Sequence, residues 1–354
     1  SNETISSVDL FDLKYEIGRI ITGYVPLVAT IVGTLLNPFN VYIYAQKTFE
    51  STSATFYLIF LTIADTLTLI QSFSFTLPYS IGFDYKVKAA FICKLFYFTA
   101  YYTCALSSWF EACVSFDRCL SISFIGSNRL LGKSQLKYTV VIVLVIYNFA
   151  FYAPIFIYYD LIDANTCYCT NSYYLSLLGW MDLFNATIVP FTVMLSSSIV
   201  SIGFLVKSGK RFGFKQHNSS KIRPSTISFT ANNNSTTMQT RSNSIRQSND
   251  ASIPSSSASS YRVRTREERE FQFAFISITM NAIFFILNLP ICFYYLYTSY
   301  VTMNSGDNLL LYGISYSLFY FNYIYKFFVY MIINTKFRSE FFKIKLVRFI
   351  FKTQ

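Results

Sequence analysis

The stretch CKLFYFTAYYTCALSSWFEACVSFDR, Cys93 to Arg118, sets 23 residues, most of them apolar or aromatic, between a cysteine and the pair Asp117-Arg118. As an α-helix, the 25 steps from Cys93 to Arg118, at about 1.5 Å each, cover roughly 37 Å, a little more than the hydrocarbon core of a bilayer. A helix of that length puts a thiol at one membrane face and an acid–base pair at the other. The stretch therefore predicts a membrane crossing, and the rest of the chain decides how many crossings accompany it.

Composition points the same way. The 354 residues are 53% hydrophobic and 19% aromatic but only 13% charged, and mean hydropathy is +0.38. A soluble domain carries about twice that charged share. Charge-poor runs long enough to span occur at 20–46, 54–82, 95–116, 138–159, 183–206, 271–299 and 308–333. The expected fold class is therefore all-α: an integral membrane bundle of seven transmembrane helices, followed by a short amphipathic C-terminal helix. The expected domains are an extracellular tail at 1–19, spans one to five at 20–206, a disordered basic cytoplasmic loop at 207–270, spans six and seven at 271–333, and an amphipathic cytoplasmic tail at 334–354. In that tail, Phe337, Phe341, Phe342, Ile344 and Phe349 interleave with basic residues, as in a helix lying on the membrane surface.

The basic residues orient the bundle. With the N-terminus outside, cytoplasmic segments hold Lys47, Arg129, Lys133, Lys137, twelve basic residues in 207–270 and six in 335–354; the exterior holds Lys14, Arg19, Lys86, Lys88 and Lys94. This positive-inside pattern accounts for the net charge of +11 without nucleic acid. The first 19 residues contain acids and no apolar core, so span one is expected to insert the chain without a cleavable signal. Asn2-Glu3-Thr4 is a glycosylation sequon in the outer tail. Residues 208–265, rich in Ser, Asn, Thr and Arg, are too polar to fold alone. The sequons there, at Asn218, Asn233 and Asn234, fall on the cytoplasmic side; Ser244 and Ser248 follow arginines as basophilic kinase sites do.

Taken together, several spacings over about residues 20–340 resemble the rhodopsin-like (class A) G-protein-coupled receptors. Asn37 precedes Asp65 by 28 residues, and Leu61-Thr-Ile-Ala-Asp65 is close to the family's second-span motif. Ser107 stands where the family's sodium site uses a Ser, Pro190 and Pro290 match its kinking prolines, and Tyr330 with Asn334-Thr-Lys-Phe337-Arg338 looks like the end of its seventh span. The resemblance implies an extracellular ligand, a heterotrimeric G protein as partner, kinases and arrestin as further partners, and a plasma-membrane location. It also implies a disulfide from Cys93 to the loop before span five, at Cys167 or at Cys169, with Cys167 preferred. Asp117, Arg118, Glu270 and Tyr330 are implied as the coupling site and resting-state lock, with Glu270, 20 residues before Pro290, reaching Arg118.

The chain also departs from the family. Cys119 replaces the Tyr of Asp-Arg-Tyr, span four has no Trp at the usual place, and Ser198 stands where a Tyr is common. Asn288 occupies the place of the sixth-span Trp, and Lys326-Phe327 replaces the seventh-span Asn-Pro. Asn288-Leu-Pro290 and the loss of Asn-Pro look similar to invertebrate peptide receptors of the FMRFamide-receptor type.

An ammonium inside a bundle needs a negative partner. Lys326 is therefore expected to bridge Asp65 and Glu111 as a built-in cation where the family holds sodium. Asn37, Asp65, Ser107, Glu111, Asn288, Asn322 and Lys326 form the predicted intramembrane polar cluster. Asp182, eight residues before Pro190, is predicted to face the central cavity with Tyr101, Tyr295, Tyr316 and Tyr320, while Asp160, Asp163 and Asp307 add negative charge at the mouth. An acidic, aromatic pocket suits a cationic, aromatic peptide end such as Arg-Phe-amide.

No catalytic constellation, metal-ligand cluster or cofactor motif stands out; the single histidine, His217, falls in the polar loop. Two other readings are weighed. A retinal-binding photoreceptor needs a Schiff-base lysine, but Lys326 lies six residues beyond the position of that lysine in opsins, here Tyr320. A transporter or channel shows no inverted repeat in support. An amine receptor's Asp would align with Ala100.

Overall fold

In a bilayer every backbone polar group must find its partner within the protein, so apolar segments of this length become helices. The computed structural model describes residues 7–50, 53–81, 88–123, 134–163, 166–219 and 255–344. The helices are α1 (Ser7–Tyr44), α2 (Lys47–Glu50), α3 (Ser53–Ile81), α4 (Ala90–Ser123), α5 (Ser134–Tyr152), α6 (Ile155–Tyr158), α7 (Ser172–Asp182), α8 (Val189–Ser219), α9 (Ser255–Tyr300), α10 (Ser305–Phe321), α11 (Tyr325–Ile333) and α12 (Thr335–Lys343). Spans one to four correspond to α1, α3, α4 and α5. Span five comprises α7 and α8 with a π-helical segment, Leu183–Ile188, between them; span six is α9, and span seven is α10 with α11.

Contacts divide the chain into two compact units, Ser1–Ser201 with Gln272–Gln354, and Ile202–Phe271. The second unit holds the last turns of α8 and the first turns of α9. The loop expected to be disordered over 207–270 is thus helical to Ser219 and again from Ser255. Residues 220–254, with Asn233, Asn234, Ser244 and Ser248, lie outside the described residues, as does Phe349.

Among the described residues, five helical stretches are long and apolar enough to cross a membrane on their own: Phe11–Tyr44, Ala54–Leu77, Gln135–Tyr158, Ser172–Phe204 and Phe275–Thr298. Spans three and seven carry the chemistry instead. The third contains Glu111, Asp117 and Arg118; the seventh is interrupted at 322–324 and contains Lys326.

Part of the N-terminal tail is ordered against the bundle. Residues 7–19 are helical, continuous with span one, and Lys14 forms an ion pair of 2.6 Å with Asp307 at the start of α10. Close approach explains the docking. A Cβ on Gly313 would lie 2.6 Å from Thr22 Oγ1, and one on Gly18 would lie 2.8 Å from the Leu310 amide nitrogen. Small residues let membrane helices meet where lipid supplies no hydrophobic drive. Hydroxyls in span two turn back on their own helix, as Thr62 does to the Leu58 carbonyl at 2.7 Å and Thr68 to that of Ala64 at 3.0 Å.

One element was not expected in an all-α chain. Tyr159–Asp163 and Thr166–Cys169 form an antiparallel hairpin before span five, in the register Tyr159↔Cys169 and Leu161↔Cys167. At the other end, the Asn334 side chain accepts from the amides of Lys336 and Phe337, both at 3.1 Å, and so starts α12. Phe337, fully buried, packs against Tyr44, Phe327 and Tyr330 and holds α12 to the bundle.

Candidate functional site

Two buried polar groupings lie within the spans. The inner one is ionic. Lys326, Asp65 and Glu111 are all buried. The Lys326 ammonium donates to Asp65 Oδ2 at 2.9 Å and to the Asn322 carbonyl at 3.3 Å. It also lies 3.2 Å from Glu111 Oε2, an ionic contact off the hydrogen-bond direction. Ser107 donates to Asp65 Oδ1, and Tyr325 lies 2.7 Å from Glu111 Oε1. The rings of Tyr323 and Tyr325 flank the ammonium at 5.9 and 5.5 Å. The interruption between α10 and α11 frees the Asn322 carbonyl for the ammonium, so Asn322 takes part through its backbone.

Two predicted members stand apart. Asn288 donates to the Phe284 carbonyl of its own helix at 2.7 Å, so its helix already satisfies the amide. Asn37 donates to the Tyr323 carbonyl at 3.3 Å and accepts from Asn40 at 3.4 Å, tying span one to span seven. Tyr325 was missed by the sequence reading, because one tyrosine among 29 carries no signal of its own.

The outer grouping is mostly neutral. Asp182, at the end of α7, accepts from Tyr152 at 2.7 Å. Asn185 donates to Tyr152 at 3.3 Å and to Asn148 Oδ1 at 3.0 Å, while its own Oδ1 accepts from Trp109 and Tyr147, both at 3.1 Å. Asn185 reaches two other helices, α4 and α5, because it sits in the π-helical segment, where the extra residue per turn shifts side chains around the axis. The cause is local. Pro190 has no amide hydrogen, and Val189 bonds back to Phe184, five residues earlier. Tyr152, Asn185, Asn148, Trp109 and Tyr147 were not predicted, although asparagines inside apolar runs could have flagged Asn148 and Asn185.

Among the ligand candidates, Tyr101 stacks on Tyr152 with ring centroids 5.9 Å apart. Tyr295 is 56% exposed. Asp182 is half-buried, and no basic group pairs with it among the described residues. Tyr316 and Tyr320 are both buried and share a hydroxyl–hydroxyl contact of 3.0 Å. They belong to an aromatic ladder with Tyr312 and Tyr323, where packing outweighs display. The acidic mouth is corrected. Lys94 pairs with Asp160 at 3.1 Å, and Lys14 pairs with Asp307. The Lys94 hydrogen bond and the Leu161 amide hold the Asp160 carboxyl below the usual carboxylate range; Lys14 and Asn304 do the same for Asp307. The side chain of Asp163 lies outside the described residues.

At the inner end of span three, Arg118 donates to Asp117 at 2.9 Å, and both are buried. Tyr330 packs on Tyr44 and Phe337 at 5.4 and 5.6 Å. Glu270 lies in α9, but its side chain is outside the described residues.

A disulfide joins Cys93 to Cys167, with Cα atoms 5.7 Å apart, and fastens the hairpin to the top of span three. Cys169, the thiol left over in the sequence, is buried and donates to the Asn171 carbonyl at 3.2 Å.

A helical membrane bundle with its third span bridged to an outer hairpin defines a class of membrane protein before any comparison is made. The family described as 7 transmembrane receptor (rhodopsin family) matches residues 37–330, and the chain belongs to that family. No curated protein matches it in sequence.

Proposed function

We propose that this receptor binds an extracellular neuropeptide with a cationic, aromatic, amidated end, in the manner of FMRFamide-type receptors. In this reading it stands in the plasma membrane with its N-terminus outside and activates a heterotrimeric G protein through Asp117 and Arg118. Kinases and arrestin act on its cytoplasmic face.

One observation carries the ligand class: Asp182 is half-buried, bonded to a phenol and paired with no basic group among the described residues. A carboxylate within a bundle is costly without a cation, so an arriving ammonium or guanidinium would gain charge-assisted hydrogen bonds there. Tyr101 and the exposed Tyr295 offer rings for the aromatic part of such a ligand.

The test is G-protein activation in cells expressing the receptor, screened with amidated peptides ending in Arg-Phe. Activation is expected, with loss in Arg118→Ala. Glu270→Ala is expected to raise ligand-independent signalling several-fold, because a partly wet ion pair is worth about 1 kcal/mol. Intact coupling in Arg118→Ala would contradict the assigned role of the pair.

A further inference from the structure

The phenol of Tyr325 has one hydrogen but two close neighbours. Its oxygen lies 2.7 Å from Glu111 Oε1 and 3.0 Å from the Met280 backbone carbonyl. Were Glu111 ionised, both neighbours would be acceptors only, and a single O–H serves one of them well. Both short contacts are satisfied together when one neighbour is itself a donor. The Met280 carbonyl carries no hydrogen, whereas a carboxyl group can.

The charge count leads independently to the same place. Asp65 and Glu111 face a single ammonium, Lys326, in a fully buried cluster. Tyr323, Tyr325 and Tyr330 are the further titratable groups that span seven places around it. On Glu111's own helix, Asp117 and Arg118 are bonded to each other. Residues 20–44, 138–152, 183–204 and 272–298 of the other spans contain no Asp, Glu, Lys or Arg. Two ionised carboxylates would leave the cluster one charge short of neutral, which a buried site disfavours strongly.

We propose that Glu111 is a proton-binding site. Its carboxyl carries a proton on Oε1 and donates it to the Tyr325 oxygen, and Tyr325 donates in turn to the Met280 carbonyl of span six. Oε2 is then the neutral carbonyl oxygen facing Lys326, and Asp65 is the lysine's sole counter-ion. Net charge falls to zero, and every short contact acquires a hydrogen. The chain of bonds links spans three, seven and six. When span six withdraws from Tyr325, the phenol hydrogen turns back to Glu111, the carboxylate is favoured, and one proton leaves. The bonded arrangement thus holds one more proton than the separated one, so acid favours contact and alkali favours separation. This inference rests on no assignment of ligand.

Infrared difference spectroscopy of the full chain in lipid nanodiscs, wild type minus Glu111→Gln, tests it. The expected result at neutral pH is a protonated-carboxyl carbonyl stretch, shifted by deuterium exchange and missing from Glu111→Gln, in which the amide keeps the shape of the acid. Tyr325→Phe, which removes the acceptor, should move that band to higher frequency and serves alone if Glu111→Gln fails to fold. A difference spectrum holding only carboxylate bands, or an acid band indifferent to Tyr325→Phe, overturns the proposal.

Discussion

The two buried polar groupings differ in where their positive charge comes from. Around Lys326 the bundle encloses a cation of its own, held by Asp65 and facing Glu111. Around Asp182 it encloses a carboxylate among phenols and amides, and no described basic residue answers it. The inner grouping joins spans two, three and seven through its own cation; the outer one holds a half-buried carboxylate with no described basic partner. A cluster that carries its own counter-charge fixes helices, whereas a carboxylate without one gains from any cation that reaches it.

The comparison breaks first at Lys326. Lys326→Met leaves Asp65 without its cation, and removing one partner of a buried pair costs about 3–5 kcal/mol. Thermal unfolding of the purified receptor should show the largest loss of any single substitution here. An unchanged midpoint would mean that the inner cluster is not held by its lysine.

The outer region depends on its bridge more than on its charge. Cys167→Ser opens a loop closed over a sequence separation of 74, and losing such a bridge costs about 2–5 kcal/mol. Cys169→Ser should leave the Cys93–Cys167 bridge intact in peptide mapping by mass spectrometry. A bridge lost in Cys169→Ser would reassign the pairing.

At Asp182 the stability effect should be small and the ligand effect large, the reverse of Lys326. Asp182→Asn keeps a group able to accept from Tyr152 but removes the charge, and peptide potency should fall roughly 10- to 100-fold, the worth of about 1.5–3 kcal/mol for a charged hydrogen bond. Equal potency in a dose–response curve would remove Asp182 from the site.

Sodium provides a subtler discriminator. With Lys326 at Asp65, agonist affinity should not respond to sodium at constant ionic strength, and Lys326→Asn should introduce a response. A sodium-dependent loss of affinity in the wild type would contradict a built-in cation.

The smallest effect expected is at the rim. The folded carboxyls of Asp160 and Asp307 sit below their ordinary range beside Lys94 and Lys14. Depressed carboxyls contribute above their unfolded pKa of about 3.9, and the contribution fades as pH falls through the lower folded value. Hydrogen exchange of the hairpin should therefore rise only below about pH 4, and Lys94→Met should abolish that pH dependence. An equal acid response in Lys94→Met would separate it from the pair.

Much of the inner cluster was legible, because a lysine and two acids in apolar runs are conspicuous and need one another. The spans and their order were legible for the same reason. The outer grouping was not. Asn185 reaches its partners from a π-helical segment just before Pro190, a local change of pitch that residue spacing does not announce. The packing of Tyr316 and Tyr320 was not legible either, because helix periodicity gives a face but not what fills it, and here neighbouring tyrosines do. Asn288 was misplaced because its own backbone satisfies it. The tail at 7–19 reads as polar, but Gly18 and Gly313 allow a close approach that holds it helical against span seven.

The most direct test of the Asp182 site pairs a change in the ligand with a change in the receptor. G-protein activation is measured for a peptide ending in Arg-Phe-amide and for its neutral citrulline analogue, on the wild type and on Asp182→Asn. If the ligand supplies the missing cation, the two changes are not additive. Citrulline costs potency on the wild type, Asp182→Asn costs a similar amount, and the two together cost little more than either alone. Full additivity of the two losses, or no loss from either, would contradict the account.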